Sequence, residues 1–308
     1  MRIPYFDAHC DTILPVHYGG RALRSNGCHL DLERLSAYAP CGQVFAVCAV
    51  HGPGMVSETE KLIATFRSEL EANRDLVRLC LSADDITAAQ QEGKIAALLS
   101  VEGADRIGDS LPELERFYAM GLRIVHITWN DDTTLSGTAM GSKAGLTDKG
   151  REYVLGAQRM GVVLDMSHLS ERGFWDTLEI AEKPVLAGHS NALALCPVPR
   201  NLSDDQFKAL VKTGGVAGLN FYPEFLGLTR DLDAIVAHAE HWLSLGGEKA
   251  VCLGTDFDGI EMLPGGVQGV QSMGELYNAM LHRNWSEALV QDIFFHNLID
   301  YFGRALKK

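Results

Sequence analysis

His9 and Asp11, two residues apart, lie in the segment Tyr5-Phe6-Asp7-Ala8-His9-Cys10-Asp11-Thr12, just after a short apolar run. On an extended chain, side chains at i and i+2 share a face, so an imidazole and a carboxylate at this spacing can converge on one metal ion. Metal-assisted hydrolysis is the chemistry such a pair would serve. A lone His-x-Asp is also a common polar strand end, so its weight depends on what recurs at equivalent places in the chain.

Ligand-type residues do recur after apolar runs. Ser100-Val101 leads into Glu102-Gly103, and Asp165-Met166-Ser167 into His168. Ala187-Gly188 leads into His189, and Gly254-Thr255 into Asp256-Phe257-Asp258-Gly259. Each has an ordinary explanation alone: Glu102 as a helix cap, His168 and His189 as packed histidines, Asp256 and Asp258 as turn carboxylates. Their joint placement at one end of successive strands points to a metal site.

The elements that must hold these groups are eight apolar, β-branched runs at 3–6, 44–50, 95–101, 123–128, 162–166, 184–187, 215–219 and 251–254. Helix-like stretches separate them, with capping patterns at Ser57/Glu60, Ser110/Glu113 and Ser203/Gln206. Continuously apolar strands alternating with helices imply a parallel sheet covered by helices. Eight such units in 308 residues predict an α/β fold, a closed (β/α)8 TIM barrel over residues 1–308 as one domain. Extra helices are expected at 286–306, and a glycine-rich loop at 265–274 on the functional face. No Gly-x-Gly-x-x-Gly follows the first run, so a dinucleotide fold has no support.

In such a barrel the active site lies at the C-terminal ends of the strands, where these ionisable residues fall. Three histidines with several carboxylates exceed what one tetrahedral zinc takes. Two metals bridged by a carboxylate follow, with Glu102 as the natural bridge, His9 and Asp11 on one ion, and His168 and His189 on the other. Imidazole with carboxylate suits Zn2+, and other divalent metals fit the same donors.

The charge is 27 basic against 40 acidic residues, a formal −13. That excess of acid, without a long basic run, excludes a nucleic-acid partner as the expectation. The apolar run at 44–50 falls far short of the roughly 20 residues that span a bilayer, so no membrane partner is expected. Residues 1–30 show no secretory pattern. Seven scattered cysteines without a Cys-x-x-Cys fit free thiols, and a cytoplasmic location is expected.

The chain resembles the membrane (renal) dipeptidases, zinc hydrolases of the amidohydrolase superfamily. The resemblance rests on the four segments above together with Gly188-His189-Ser190-Asn191-Ala192, Pro199-Arg200-Asn201-Leu202-Ser203-Asp204-Asp205 and Leu219-Asn220-Phe221-Tyr222, in family order. It implies a binuclear zinc barrel that hydrolyses small dipeptides, including those with a C-terminal D-residue, and a homodimer. It also implies that Asp256 is the acid/base. Position alone does not separate Asp256 from Asp258, which share a face. Arg200 and Tyr222 are implied to hold the substrate. For Arg200 there is an independent reason, since a guanidinium pairs with a terminal carboxylate through two parallel hydrogen bonds.

One position departs from the family pattern. Ile127-Thr128-Trp129-Asn130 places Trp129 where the animal enzymes carry a histidine implied to bind the reacting carbonyl. An indole N–H donates a hydrogen bond but takes up no proton. His126, three residues earlier, reads as lying on the wrong face to substitute and as buried or paired. Two other functions stay open on sequence: a binuclear amidohydrolase acting on another small amide, such as an N-acyl amino acid, and a catalytically silent metal-binding relative.

Overall fold

In the computed structural model, which describes residues 2–306, nine parallel strands form one sheet. They are β1 (Tyr5–Cys10), β2 (Cys41–Val47), β3 (Val77–Leu79), β4 (Ile95–Val101), β5 (Leu122–His126), β6 (Val163–Asp165), β7 (Leu186–Ser190), β8 (Val216–Leu219) and β9 (Val251–Leu253). Pairing of β2 with β4 closes eight of them into the expected barrel. The ninth, β3, has no counterpart among the runs read from sequence. Its three residues pair with Ile95–Ala97 at the start of β4, outside the closed ring. Too short to show a period, it is held by that pairing and by burial of Val77 in the core.

The lower half of the barrel interior is apolar. Phe6, Val44, Ala96, Leu98, Ile124 and Val216 form one buried cluster with Phe295, Leu298 and Phe302. The last three belong to the C-terminal helical segment (Glu287–Gln291, Asp292–His296 and Asn297–Ala305), which covers this end of the barrel. The extra helices expected at 286–306 are therefore a plug, started by Ser286, whose hydroxyl accepts from the Leu289 N–H.

Local signals hold unevenly. Ser203 and Gln206 form a reciprocal capping box. Ser110 stands at the N-cap of Leu111–Ala119, but its side chain makes no capping bond. Ser57 caps nothing, because Met55–Ala72 begins two residues earlier after Gly54. The stretch 265–274 is only partly loop: Val270–Ser272 is a 3-10 turn and a helix begins at Met273.

Two bulges decide what faces the upper interior. Asp7 pairs with Gln43 and Cys10 with Phe45, so β1 carries one residue more than β2 between those points. Likewise Ala187 pairs with Ala217 and Ser190 with Leu219, giving β7 one extra residue over β8. An extra residue reverses the side-chain alternation beyond it. In β1, Phe6 belongs to the inner cluster and Asp7 bonds outward to Gln43 and Thr255, yet His9 turns inward. In β7 the same device presents His189.

Candidate active site

Asp7 anchors the first bulge. Its carboxylate accepts from the Thr255 N–H at 2.9 Å, the Thr255 hydroxyl at 2.7 Å and the Gln43 amide at 3.0 Å. This ties the end of β1 to the segment after β9, so His9 and Asp256 are fixed relative to each other. His9 Nε2 lies 3.2 Å from Asp11 Oδ2, 3.8 Å from Glu102 Oε1 and 3.8 Å from Asp256 Oδ1.

Glu102 Oε1 is the centre of the arrangement. His168 Nε2 is 3.0 Å from it and His189 Nε2 3.3 Å, and those two nitrogens are 2.9 Å apart. The sequence therefore brings together all five expected ligands and Asp256. His168 is oriented from behind by Asn130 Oδ1, 2.9 Å from Nδ1. His168 and Asp256 both hold left-handed backbone conformations, φ 70° and 60°. For residues with a Cβ this costs on the order of 1–3 kcal/mol, a strain typical of functional positions.

Asp256 and Asp258 are separated by their partners. Asp258 is committed to structure: Oδ2 accepts from the Thr12 hydroxyl at 2.6 Å and Oδ1 from the His29 N–H at 2.7 Å. Asp256 accepts from Asn220 Nδ2 on Oδ2 only, leaving Oδ1 toward His9.

Burial and mutual charge pull the titrations of these groups apart. Burial opposes ionisation of Glu102, but His168 and His9 hold its carboxyl well below the usual range. Burial pushes Asp11 up to about 7, with Glu102 and Asp256 adding to the rise, and burial raises Asp256 too. Burial would depress His9, yet Glu102 and Asp11 lift it to about 10. Burial and Arg200 lower His168 to about 3, and burial with His9 lowers His189 well below its ordinary value. The donor atoms of Glu102, His168 and His189 lie within 3.3 Å of one another, and Asp11 Oδ1 has no hydrogen-bond partner among the described residues. A divalent cation fits that donor set.

A cavity of about 680 Å3 opens above these groups, lined by Asp11, Glu102, His168, Arg200, Tyr222 and Asp256. Arg200 is only 5 % exposed and has no carboxylate partner among the described residues. Among the described residues its one hydrogen bond is from Nη2 to the His189 carbonyl at 3.4 Å. A buried guanidinium so weakly satisfied is suited to an anion. Tyr222 is half-buried, and its N–H donates to Asn220 Oδ1. Trp129 lines the same cavity with its ring 6.4 Å from that of His168 and the Arg106 guanidinium 5.2 Å from the ring centre.

The family model for membrane dipeptidase (Peptidase family M19) matches residues 1–306. The chain belongs to that family. An uncharacterized protein in the pqqA 5′ region of Klebsiella pneumoniae is 36% identical over 234 residues, covering 72% of this chain and 86% of that protein. An uncharacterized dipeptidase of Schizosaccharomyces pombe is 34% identical over 233 residues, covering 73% of this chain but 56% of its own length. A metallopeptidase of Rhodobacter sphaeroides, solved with a phosphinate mimic of the dipeptide L-Ala-D-Ala, superposes with a TM-score of 0.89 at 28% identity, covering 99% of this chain and 100% of that one. This M19 dipeptidase is accordingly a hydrolase of the metallopeptidase type.

Three contributors escaped the sequence reading. Asn220 and Asn130 carry no titratable group, and only their hydrogen bonds reveal them. His126 faces the centre rather than away from it. It follows Ile124 by two on β5, and Ile124 is an inner-cluster residue, so counting alternate positions along that strand was the available signal. The glycine-rich stretch 265–274 does not line the cavity; Gly259, Ile260 and Glu261, nearer the end of β9, do.

Proposed function

We propose that this protein is a zinc-dependent dipeptidase holding two Zn2+ ions. Glu102 would be shared between them, with His9 and Asp11 holding one and His168 and His189 the other. The observation that carries the reading is the position of Glu102 Oε1, within 3.0–3.8 Å of three imidazole nitrogens contributed by three different strand ends. Ions bound there would activate water and polarise the scissile carbonyl.

The remaining steps belong to the chain. Arg200 pairs with the free C-terminal carboxylate of the dipeptide and sets its register. Asp256, through Oδ1, takes the proton of the attacking nucleophile and returns it to the leaving nitrogen, as a positioned carboxylate with a raised pKa is suited to do. Asn220 keeps Oδ2 out of that exchange. Tyr222 and Trp129 wall the cavity and limit the water that enters. The seven cysteines, all free, support a reducing, cytoplasmic setting.

The test is release of free amino acids from a panel of dipeptides, L-Ala-D-Ala and L-Ala-L-Ala among them, by zinc-loaded and chelator-stripped protein. Metal-dependent hydrolysis of dipeptides with free carboxylates is expected. Hydrolysis confined to N-acyl amino acids or neutral amides would overturn the dipeptidase reading.

A further inference from the structure

The floor of the metal centre contains a histidine to which nothing above gives a role. His126 is fully buried, and neither of its ring nitrogens has a hydrogen-bond partner. Its Nε2 lies 3.5 Å from Asp165 Oδ2, and its Nδ1 3.9 Å from Glu102 Oε1. Its ring centre is 5.3 Å from that of His9 and 5.5 Å from that of His189.

We propose that His126 is itself a metal ligand, its Nδ1 joining Glu102 and His189 on the buried side of the centre. The inference rests on the metal reading given above and adds a donor to it. A neutral imidazole offers one N–H and one lone pair. Asp165 can only accept while ionised, and it is held in place: Oδ1 takes the Ser167 N–H at 2.8 Å and the Gly188 N–H at 3.0 Å. Space for this carboxylate exists because residue 188 is glycine; a Cβ there would sit 2.1 Å from Asp165 Oδ2. The ring proton therefore belongs on Nε2, toward Asp165.

That leaves the Nδ1 lone pair facing the Glu102 carboxylate and the His9 and His189 nitrogens. One donor atom from each of His9, Glu102, His126 and His189 lies within 4.8 Å of all the others. Lone pairs gathered in this way repel one another unless a cation sits among them. Bonds of about 2.1 Å in a tetrahedron require donors roughly 3.4 Å apart. Glu102 Oε1 stands 3.3 Å from His189 Nε2 and 3.9 Å from His126 Nδ1, close to that separation, while His9, at 3.8 Å, belongs with Asp11 to the other ion. A carboxylate behind the remote nitrogen of an imidazole is also the usual way such a ligand is oriented. The consequence is an unequal pair of ions, the inner one rich in imidazole and the outer one, near Asp11 and Asp256, rich in carboxylate.

The test uses full-length protein with 15N-labelled histidine, loaded with 113Cd, and reads nitrogen–cadmium coupling. Coupling at His9, His168 and His189 through Nε2, and at His126 through Nδ1, is expected. In His126→Leu the tighter of the two cadmium dissociation constants should weaken by roughly 100-fold, and in Asp165→Asn by about 10–100-fold. Should the leucine variant not fold, the wild-type spectrum decides alone. Coupling at three histidines only, with a protected proton on His126 Nδ1, overturns the assignment, as does a folded leucine variant of wild-type affinity. Wild-type protein that takes up no cadmium overturns the metal reading beneath it instead.

Discussion

Asn220 donates from Nδ2 to Asp256 Oδ2 at 3.0 Å while its own Oδ1 accepts from the Tyr222 N–H at 2.6 Å. One side chain thereby fixes both the carboxylate proposed to move the proton and the start of the segment that walls the cavity. Asp256→Asn should lower kcat by about 10²–10⁴-fold. Asn220→Ala, which frees the carboxylate to turn, should lower it by roughly 10–100-fold. Both variants should keep wild-type metal content by elemental analysis. Near-normal turnover in Asp256→Asn would remove it from the reaction.

Arg200 makes no salt bridge among the described residues, so its guanidinium is available to substrate. In Arg200→Ala, kcat/KM for dipeptides should fall by about 10–100-fold, the worth of a charge-assisted hydrogen-bonded pair. Dipeptide amides should be nearly unaffected. Equal losses on both substrate sets would mean that Arg200 serves the fold rather than the carboxylate.

Much of this arrangement was legible in the sequence, because metal ligands must be ionisable and a barrel must deliver them from strand ends. His9, Glu102, His168, His189 and Asp256 all follow apolar runs, and each of the eight barrel strands overlaps one of those runs, β1 and β7 by two residues only. The failures have local causes. β3 is three residues long, too short for a pattern, and Ser57 mimics a cap inside a helix already begun at Met55. The i/i+2 rule placed His9 and Asp11 on one face for an incomplete reason. Inward presentation of His9 depends on the extra residue between Asp7 and Cys10, which no composition reveals. Asp256 and Asp258 are alike in sequence and are told apart by their partners, Asn220 on the first and Thr12 and His29, more than 200 residues away, on the second.

The segment that carries His189 is braced by a second buried histidine. His238 Nδ1 accepts from the Ala192 N–H at 3.0 Å, and burial depresses its pKa to about 4. The unfolded chain, with an ordinary value near 6.5, binds a proton more readily. This contribution to stability is full above about pH 6.5 and lost as pH falls toward 4, on the order of 3 kcal/mol in all. Denaturant unfolding between pH 7.5 and 4.5 should show that slope. His238→Asn, which keeps an acceptor for Ala192 but does not titrate, should flatten it; an unchanged slope would assign the effect elsewhere.

Backbone crowding beneath the site makes a separate stability prediction. A Cβ on Gly218 would lie 2.0 Å from the Gly188 carbonyl oxygen, and neither strand can yield without moving His189. Gly218→Ala should cost about 3 kcal/mol or more in unfolding free energy and weaken metal binding with it. Wild-type unfolding and metal affinity in that variant would show that β7 and β8 are free to separate.

The central claim, a two-ion dipeptidase centre gathered about Glu102, is tested most directly by titrating metal-free protein with Zn2+ while measuring L-Ala-D-Ala hydrolysis. Activity should rise with added zinc and reach its plateau at two equivalents per chain, with Glu102→Gln unable to reach it. Two bound equivalents without hydrolysis of any dipeptide, or full activity in Glu102→Gln, would contradict the account.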